Sequence, residues 1–400
     1  MQTENKINPQ MEMAPPAANI GVRGWLKENL FSSWINTLVT IIFATIIYFI
    51  VKGILTWIIY SADWQVVSSN FRLFFVGQYP LEQLWRIWLS LTIVTLLFGF
   101  TAGIWKGTVW KLTIFLSIVF LLITLLPFIP LSAKLWLVIN IISLYLGYFF
   151  INKLPKNKVI TVVGWFLSFP IILILINGFN LLAPVSTNLW GGLLLTILIA
   201  VVAIVVSFPL GVLLALGRIS KLPVIRWFSI AYIELIRGIP LITVLFMAQL
   251  MVPLFLSEGI EINNVIRVMI GATMFSAAYV AENVRGGLQS INRGQFEAAK
   301  ALGLNSVYTM AFIILPQALR AVIPAIVGQF IAMFKDTSLV AIVGLIDLLG
   351  IAKTIVANPD FLGKQMEVFL FIALIYWIFS YSMSFASRKL EESLGVGERY

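Results

Sequence analysis

Charged side chains are scarce in this sequence, so chemistry can be placed at the few that interrupt its apolar runs. Glu282, Asn283 and Arg285 lie within four consecutive residues. They offer an acceptor for an ammonium group and donors for a carboxylate, the two needs of a zwitterionic ligand. Glu282 and Arg285, three apart on a helix, equally suit a structural ion pair, and the spacing does not choose between the two roles. Lys335, Asp336, Thr337 and Ser338 form a second polar island; adjacent charges on a helix point to different faces, so this island either lines a pathway or caps a helix end. Glu234 and Arg237 are predicted to pair with each other near a helix end, just before Gly238-Ile239-Pro240, where a kink or broken helix is expected. A fourth stretch, Glu297 to Pro316, reads as a water-exposed segment between two spans. Good helix formers occupy 297–302, Gly303 permits a sharp turn, Ser306 is placed to cap a second short helix, and Pro316 suits the first turn of the next span. This stretch is the expected docking place for a soluble partner.

The elements that must position these residues are membrane spans. The 400 residues are 60% hydrophobic and 11% charged, mean hydropathy is +0.99, and several apolar runs exceed the roughly 18 residues that mark a transmembrane helix. Lipid offers the backbone no hydrogen-bond partners, and the runs are continuous rather than alternating, so the fold class is all-α, a polytopic membrane protein. Windows of about 20 apolar residues place spans at 34–60, 87–104, 112–128, 135–151 and 160–179, then at 190–216, 230–256, 265–284, 318–334 and 368–385. That is about ten transmembrane helices. The first run is too long and starts too late for a cleaved signal peptide, and is expected to be an uncleaved span.

Net charge is +10, and the Lys and Arg residues lie mostly between the apolar runs, which fits positive-inside topology better than a nucleic-acid surface. Arg23, Lys27, Lys106, Lys111, Lys153, Lys156, Lys158, Arg218, Lys221, Arg226, Arg388 and Lys389 fall on one side if the spans alternate, so both termini are expected in the cytoplasm. With no Cys and no His, disulfides, zinc chemistry and His-based catalysis have no residues to rest on, and neither a metal site nor a catalytic residue is predicted. Gly363-Lys364 lacks the upstream glycine and the following hydroxyl of a phosphate-binding loop. No cofactor is assigned to this chain.

The longest internal change of character comes at the polar connection 180–188. Expected domains are a cytoplasmic tail at 1–33, an extension of about five spans at 34–187, a working half at 188–387 and a second cytoplasmic tail at 388–400. The mixed stretch from Ile346 to Lys364 is expected to form an external loop or short helix.

Glu297-Ala298-Ala299, then Gly303-Leu304, then Leu315-Pro316 has the spacing of the EAA loop of binding-protein-dependent ABC importer permeases, here placed near 288–316. The motifs Glu234-Leu235-Ile236-Arg237-Gly238-Ile239-Pro240, Glu282-Asn283-Val284-Arg285-Gly286-Gly287 and Lys335-Asp336-Thr337-Ser338-Leu339 also resemble the polar amino acid branch of that family. Ile239 and Asn283 depart from its pattern, which commonly has Thr and an apolar residue there. The long extension is similar to that of the larger permeases of general L-amino-acid importers. The resemblance covers about half the chain and implies a five-helix MetI-like core in a bacterial inner membrane. It implies a second homologous permease, a pair of ATPase subunits that bind ATP and Mg, an external amino-acid-binding protein, and an amino acid as cargo. Membrane lipid is a further expected partner and nucleic acid is not. An ion-coupled secondary transporter, with Glu282 or Asp336 as coupling site, is the alternative reading.

Overall fold

A computed structural model describes residues 21–179, 181–257 and 262–394. The outer parts of the two expected tails, 1–20 and 395–400, and Asn180 of the expected connection lie outside the described residues. The chain divides between Trp64 and Gln65 into two compact units. In the first, α1 (Val22–Asn29) precedes α2 (Trp34–Thr56), which continues as a π-turn through Ser61. The Ser33 hydroxyl caps α2 by accepting from the Asn36 N–H at 3.2 Å, and no residue of α2 is buried. A helix whose one charge is Lys52 and whose apolar residues stay unburied within its unit is suited to lipid or to another span.

The second unit begins with two short helices, α3 (Gln65–Ser69) and α4 (Phe71–Val76), followed by α5 (Leu84–Trp105), α6 (Gly107–Thr124), α7 (Leu131–Ile151) and α8 (Asn157–Asn177). Then come α9 (Gly192–Arg218), α10 (Pro223–Arg237), α11 (Leu241–Phe246), α12 (Asn264–Ser290), α13 (Arg293–Ala301) and α14 (Ser306–Tyr308). The chain ends with α15 (Leu315–Asp336), α16 (Leu348–Val356) and α17 (Gln365–Leu394). Among the described residues, nine helical stretches are long and apolar enough to cross a membrane, or ten when α10 and the limb 241–255 are counted as one broken span. The expected short helix within 346–364 is α16.

The seventh expected span is not a single helix. It starts earlier, at Pro223, and turns by 108° between Arg237 and Leu241. Pro240 has no N–H to give the helical ladder, and its ring disfavours helical backbone at Ile239, so α10 stops where the sequence requires it to stop.

Close packing inside the unit rests on small residues. A Cβ built at Gly99 of α5 would lie 2.2 Å from the Leu144 carbonyl oxygen, and one at Gly147 of α7 would lie 2.4 Å from that of Leu96. The two backbones approach there as only glycine permits. Thr95 and Asn140 are buried in the same contact, the hydroxyl donating to Asn140 Oδ1 at 3.1 Å. Arg86, which the apolar pattern assigns to an external loop, is almost wholly buried and donates to the Ala183 carbonyl at 2.8 Å, beside Tyr79, whose hydroxyl donates to the Ile176 carbonyl at 2.8 Å.

The hydrophobic core runs across the expected boundary at 187/188. One buried cluster holds Tyr79, Ile176 and Val185 together with Trp190, Leu195 and Ile199. The backbone takes part: Gly77 and Trp190 form an isolated β-bridge, as do Gly192 and Asp347. Asp347 is fully buried and caps α16, its Oδ1 accepting from the Gly350 N–H at 2.9 Å while Oδ2 accepts from the Tyr376 hydroxyl at 3.3 Å. Burial pushes this carboxyl up to about 6, although the Gly350 and Leu349 N–H groups and the Tyr376 hydroxyl oppose the shift.

Candidate functional site: the elbow and the charged hub

At the end of α12 the chain turns at Ile291, and Asn292 caps α13, its Oδ1 accepting from the Gly294 N–H at 2.8 Å. Arg293 to Ala301 is helical because it is rich in helix formers, and Gly303 then ends it with φ +76°. The ending is a complete Schellman motif. The Gly303 N–H donates to the Lys300 carbonyl at 3.0 Å, and the Leu304 N–H donates to that of Ala299 at 3.1 Å. The second short helix is capped by Asn305, whose Oδ1 accepts from the Tyr308 N–H at 2.9 Å. The expected cap, Ser306, is instead the first helical residue. A longer carbonyl arm one residue earlier reaches the first-turn N–H, and both Asn and Ser are good caps.

This stretch continues as a π-turn, Thr309–Ile314, straight into α15, with Pro316 in the first turn. Glu297 and Ala298 are exposed, Ala299 is buried beneath them, and Leu302, Val307 and Phe312 present an apolar surface. Gln317 ties the elbow to the span that follows it, its amide donating to Gln295 Oε1 at 3.3 Å and to the Ile313 carbonyl at 2.7 Å. Leu304, at the turn, and Leu315, at the start of α15, are half-buried. The structure therefore brings Glu297, Ala298, Gly303 and Pro316 onto one exposed elbow set between α12 and α15.

Two turns before the end of α12 stands the hub. Glu282 accepts from Arg285 through both carboxylate oxygens, with Nε at 3.0 Å. Arg218 from the end of α9 and Arg237 from the end of α10 each approach the same carboxylate to 3.5 Å. Arg218 also pairs with Glu234 at 2.8 Å. Three cations and two anions from three helices thus share one site.

Glu234 and Arg237 do not pair with each other as their spacing predicts. Arg237 turns inward over the Tyr279 ring, 5.7 Å from its centroid, toward Glu282, while Glu234 stays outside and takes Arg218. Tertiary partners outcompete an exposed three-residue spacing that is worth only a few tenths of a kcal/mol. Arg218 is the hub member that sequence reasoning missed. It reads as one of several positive-inside charges, and its position as the last residue of α9 was its only signal.

Asn283 is half-buried one residue along from the hub and is not part of the ion-pair network. The second polar island lies elsewhere. Met333, just before Lys335, belongs to the buried cluster that holds Met269 and Phe275, whereas Ala318 and Ile326 belong to the one that holds Val280, Val284 and Leu288. Lys335 and Asp336 therefore sit at the end of α15 that packs beside the first half of α12, whereas Glu282 is in its second half. Lys335 is exposed, Asp336 and Ser338 are half-buried, and Thr337 is buried with its hydroxyl donating to the Phe334 carbonyl at 2.7 Å. The hub and the island are therefore two separate polar levels of one bundle. Among the described residues no group of three or more acidic side chains could hold a metal ion.

Residues 207–396 match the family described as the binding-protein-dependent transport system inner membrane component. Over 390 residues the chain is 38% identical to the inner membrane amino-acid ABC transporter permease protein YhdY of Escherichia coli K12, covering 93% of each. It is 34% identical to the glutamate/glutamine/aspartate/asparagine transport system permease protein BztC of Rhodobacter capsulatus, covering 95% of each. The glutamate/aspartate import permease protein GltK of Escherichia coli O6:H1 is 41% identical over 208 residues, which are 51% of this chain and 92% of that protein. With the elbow in place and full-length relatives of this kind, the chain belongs to the family of amino-acid ABC transporter permeases.

Proposed function

We propose that this chain is a permease subunit of an importer, in which the elbow from Glu297 to Pro316 receives the movement of ATPase subunits and passes it to α12 and α15. The observation that carries this reading is the exposed Glu297-Ala298 face on a nine-residue helix closed by a Schellman turn and joined within a few residues to both spans. A rigid short helix between two spans transmits displacement where a loose loop would absorb it. ATP and Mg belong to those partner subunits. This chain's own task is transport, not catalysis.

The cargo on this reading is an amino acid, delivered by an external binding protein and passed between this chain and a second homologous permease in a bacterial inner membrane. Both termini lie in the cytoplasm, on the elbow side. Lys335, Asp336, Thr337 and Ser338 are the pathway candidates that the ion pairs leave free to meet a zwitterion, while Glu282 and Arg285 are committed to the hub and Asn283 flanks it. The relatives lend no support to the ion-coupled alternative.

The test is reconstitution of the full complex in vesicles with the substitutions Glu297→Ala and Gly303→Pro. Amino-acid uptake and ATPase recruitment should both fall while the chain still inserts. Normal uptake by both variants would remove the elbow from the mechanism.

A further inference from the structure

The two limbs of the broken span turn by 108°, and the second of them runs beside α12. Val244 and Ala248 lie against Gly271, and the Gln249 carbonyl accepts from Arg267 near the start of α12. With that limb along the membrane normal, a 108° turn leaves α10 about 18° from the bilayer plane, a flat helix being at 90°.

Three contacts along α10 agree with a flat course. A Cβ at Gly217 would lie 2.2 Å from Ser229 Oγ, Glu234 pairs with Arg218 at 2.8 Å, and Arg237 approaches Glu282 to 3.5 Å. Ser229 to Arg237 is about 12 Å of helix. Yet all three positions meet one level of the bundle, because Arg218 itself approaches Glu282 to 3.5 Å.

The inner face of α10 is spent on the bundle. Ser229, Ile233 and Ile236 are buried, and the Tyr232 hydroxyl donates to the Met274 carbonyl at 2.8 Å. The outer face carries Val224, Trp227, Phe228, Ala231 and Leu235, its four large side chains between 61% and 79% exposed, with Glu234 at its edge. Lys221 and Arg226 are exposed at the N-terminal end, and the one acid of the helix, Glu234, is held by Arg218. An apolar stripe on a flat helix, with an indole and two cations at one end, matches the boundary between acyl chains and anionic headgroups.

We infer that α10 lies in the membrane interface on the side of the coupling elbow, its stripe in the acyl region and Lys221 and Arg226 at anionic lipid headgroups. Because α10 also holds Glu234 and Arg237, the lipid of that leaflet acts directly on the hub.

The absence of cysteine makes single labels clean. The full-length chain, carrying a nitroxide at Val224→Cys, Phe228→Cys or Leu235→Cys, is placed in vesicles containing phosphatidylglycerol, and label depth is read from oxygen and nickel-chelate relaxation. Labels at Leu370→Cys and Tyr381→Cys on the unbroken α17 serve as the ruler and report correct folding, since eleven residues of an upright helix differ in depth by about 16 Å. Val224 and Leu235 are also eleven apart, and a helix inclined as α10 is should show a spread of about 5 Å. Changing to phosphatidylcholine should bring the Val224 label nearer to water, and the double substitution Lys221→Gln with Arg226→Gln should abolish that response. A spread near the α17 value, labels open to the chelate at every position, labels shielded by protein from both reagents, or a depth indifferent to lipid charge would each overturn the inference.

Discussion

Replacing Gly303 by Ala isolates the backbone contribution to the elbow. The residue sits at φ +76°, and a Cβ there would meet nothing within 4 Å, so the substitution creates no clash and changes only the conformational preference. A left-handed L-residue costs about 1–2 kcal/mol. At positive φ Gly→Ala destabilises outright, so the loss is about 1–2 kcal/mol and elbow opening rises roughly 5- to 30-fold. Hydrogen exchange reads this directly at residues 303 and 304, whose N–H groups make the two Schellman bonds. Asn tolerates this backbone region far better than Ala, so Gly303→Asn should recover most of the protection. Amino-acid uptake should follow the same order, Gly above Asn above Ala. Unchanged exchange in the Ala variant, or an Asn variant worse than Ala, would refute the assignment of Gly303 as the conformational lock.

Glu282→Gln should lower the thermal stability of the reconstituted chain by about 1–3 kcal/mol because three guanidinium groups lose their common counter-charge and one of its two acceptor oxygens, whereas Glu234→Gln, at a half-exposed position with one partner, should cost less than about 1 kcal/mol; the two melting curves, measured side by side, decide it. Asp347 titrates near 6 in the folded chain, above its ordinary value, so the native state holds more protons than the unfolded state between about pH 4 and 6. Stability from this group is present at the acid end of that window and is lost as pH rises through it. Asp347→Asn keeps the cap on Gly350 and should flatten that slope in melting experiments, while Asp347→Ala should also lose about 1 kcal/mol of capping. Gly147→Ala places a methyl 2.4 Å from the Leu96 carbonyl oxygen and should cost about 1–3 kcal/mol by forcing α5 and α7 apart, visible as a lower melting point with the elbow's exchange unchanged.

The spans and the elbow were legible because both depend on local chemistry. Continuous apolar runs have few options in lipid, and helix formers followed by Gly303 encode their own ending. The pairing of Glu234 was not legible, because its partner Arg218 belongs to another helix, and a local spacing was the only pairing the sequence displayed. Arg86 looked like a loop charge for the same reason: its acceptor, the Ala183 carbonyl, lies 97 residues away. Pro240 announced a break, but the 108° turn is set by what α10 packs against. The glycine contact of α5 with α7 needed both helices in view, since Gly99 and Gly147 carry meaning only as a facing pair. Asp347 was hidden in a stretch that read as an external loop because a capping acid at the start of a short helix is ordinary, and its burial follows from Gly192 and Tyr376, far off in sequence.

The buried cluster that joins Tyr79, Ile176 and Val185 to Trp190 and Leu195 also bears on the order of synthesis. The ribosome completes α4 and α8 before α9, so the residues that the near end of α9 packs against are already made when that span emerges. A chimera that grafts a short permease core onto this extension should assemble only if residues 189–199 travel with the extension, because Trp190, Leu195 and Ile199 complete the cluster with Tyr79, Ile176 and Val185.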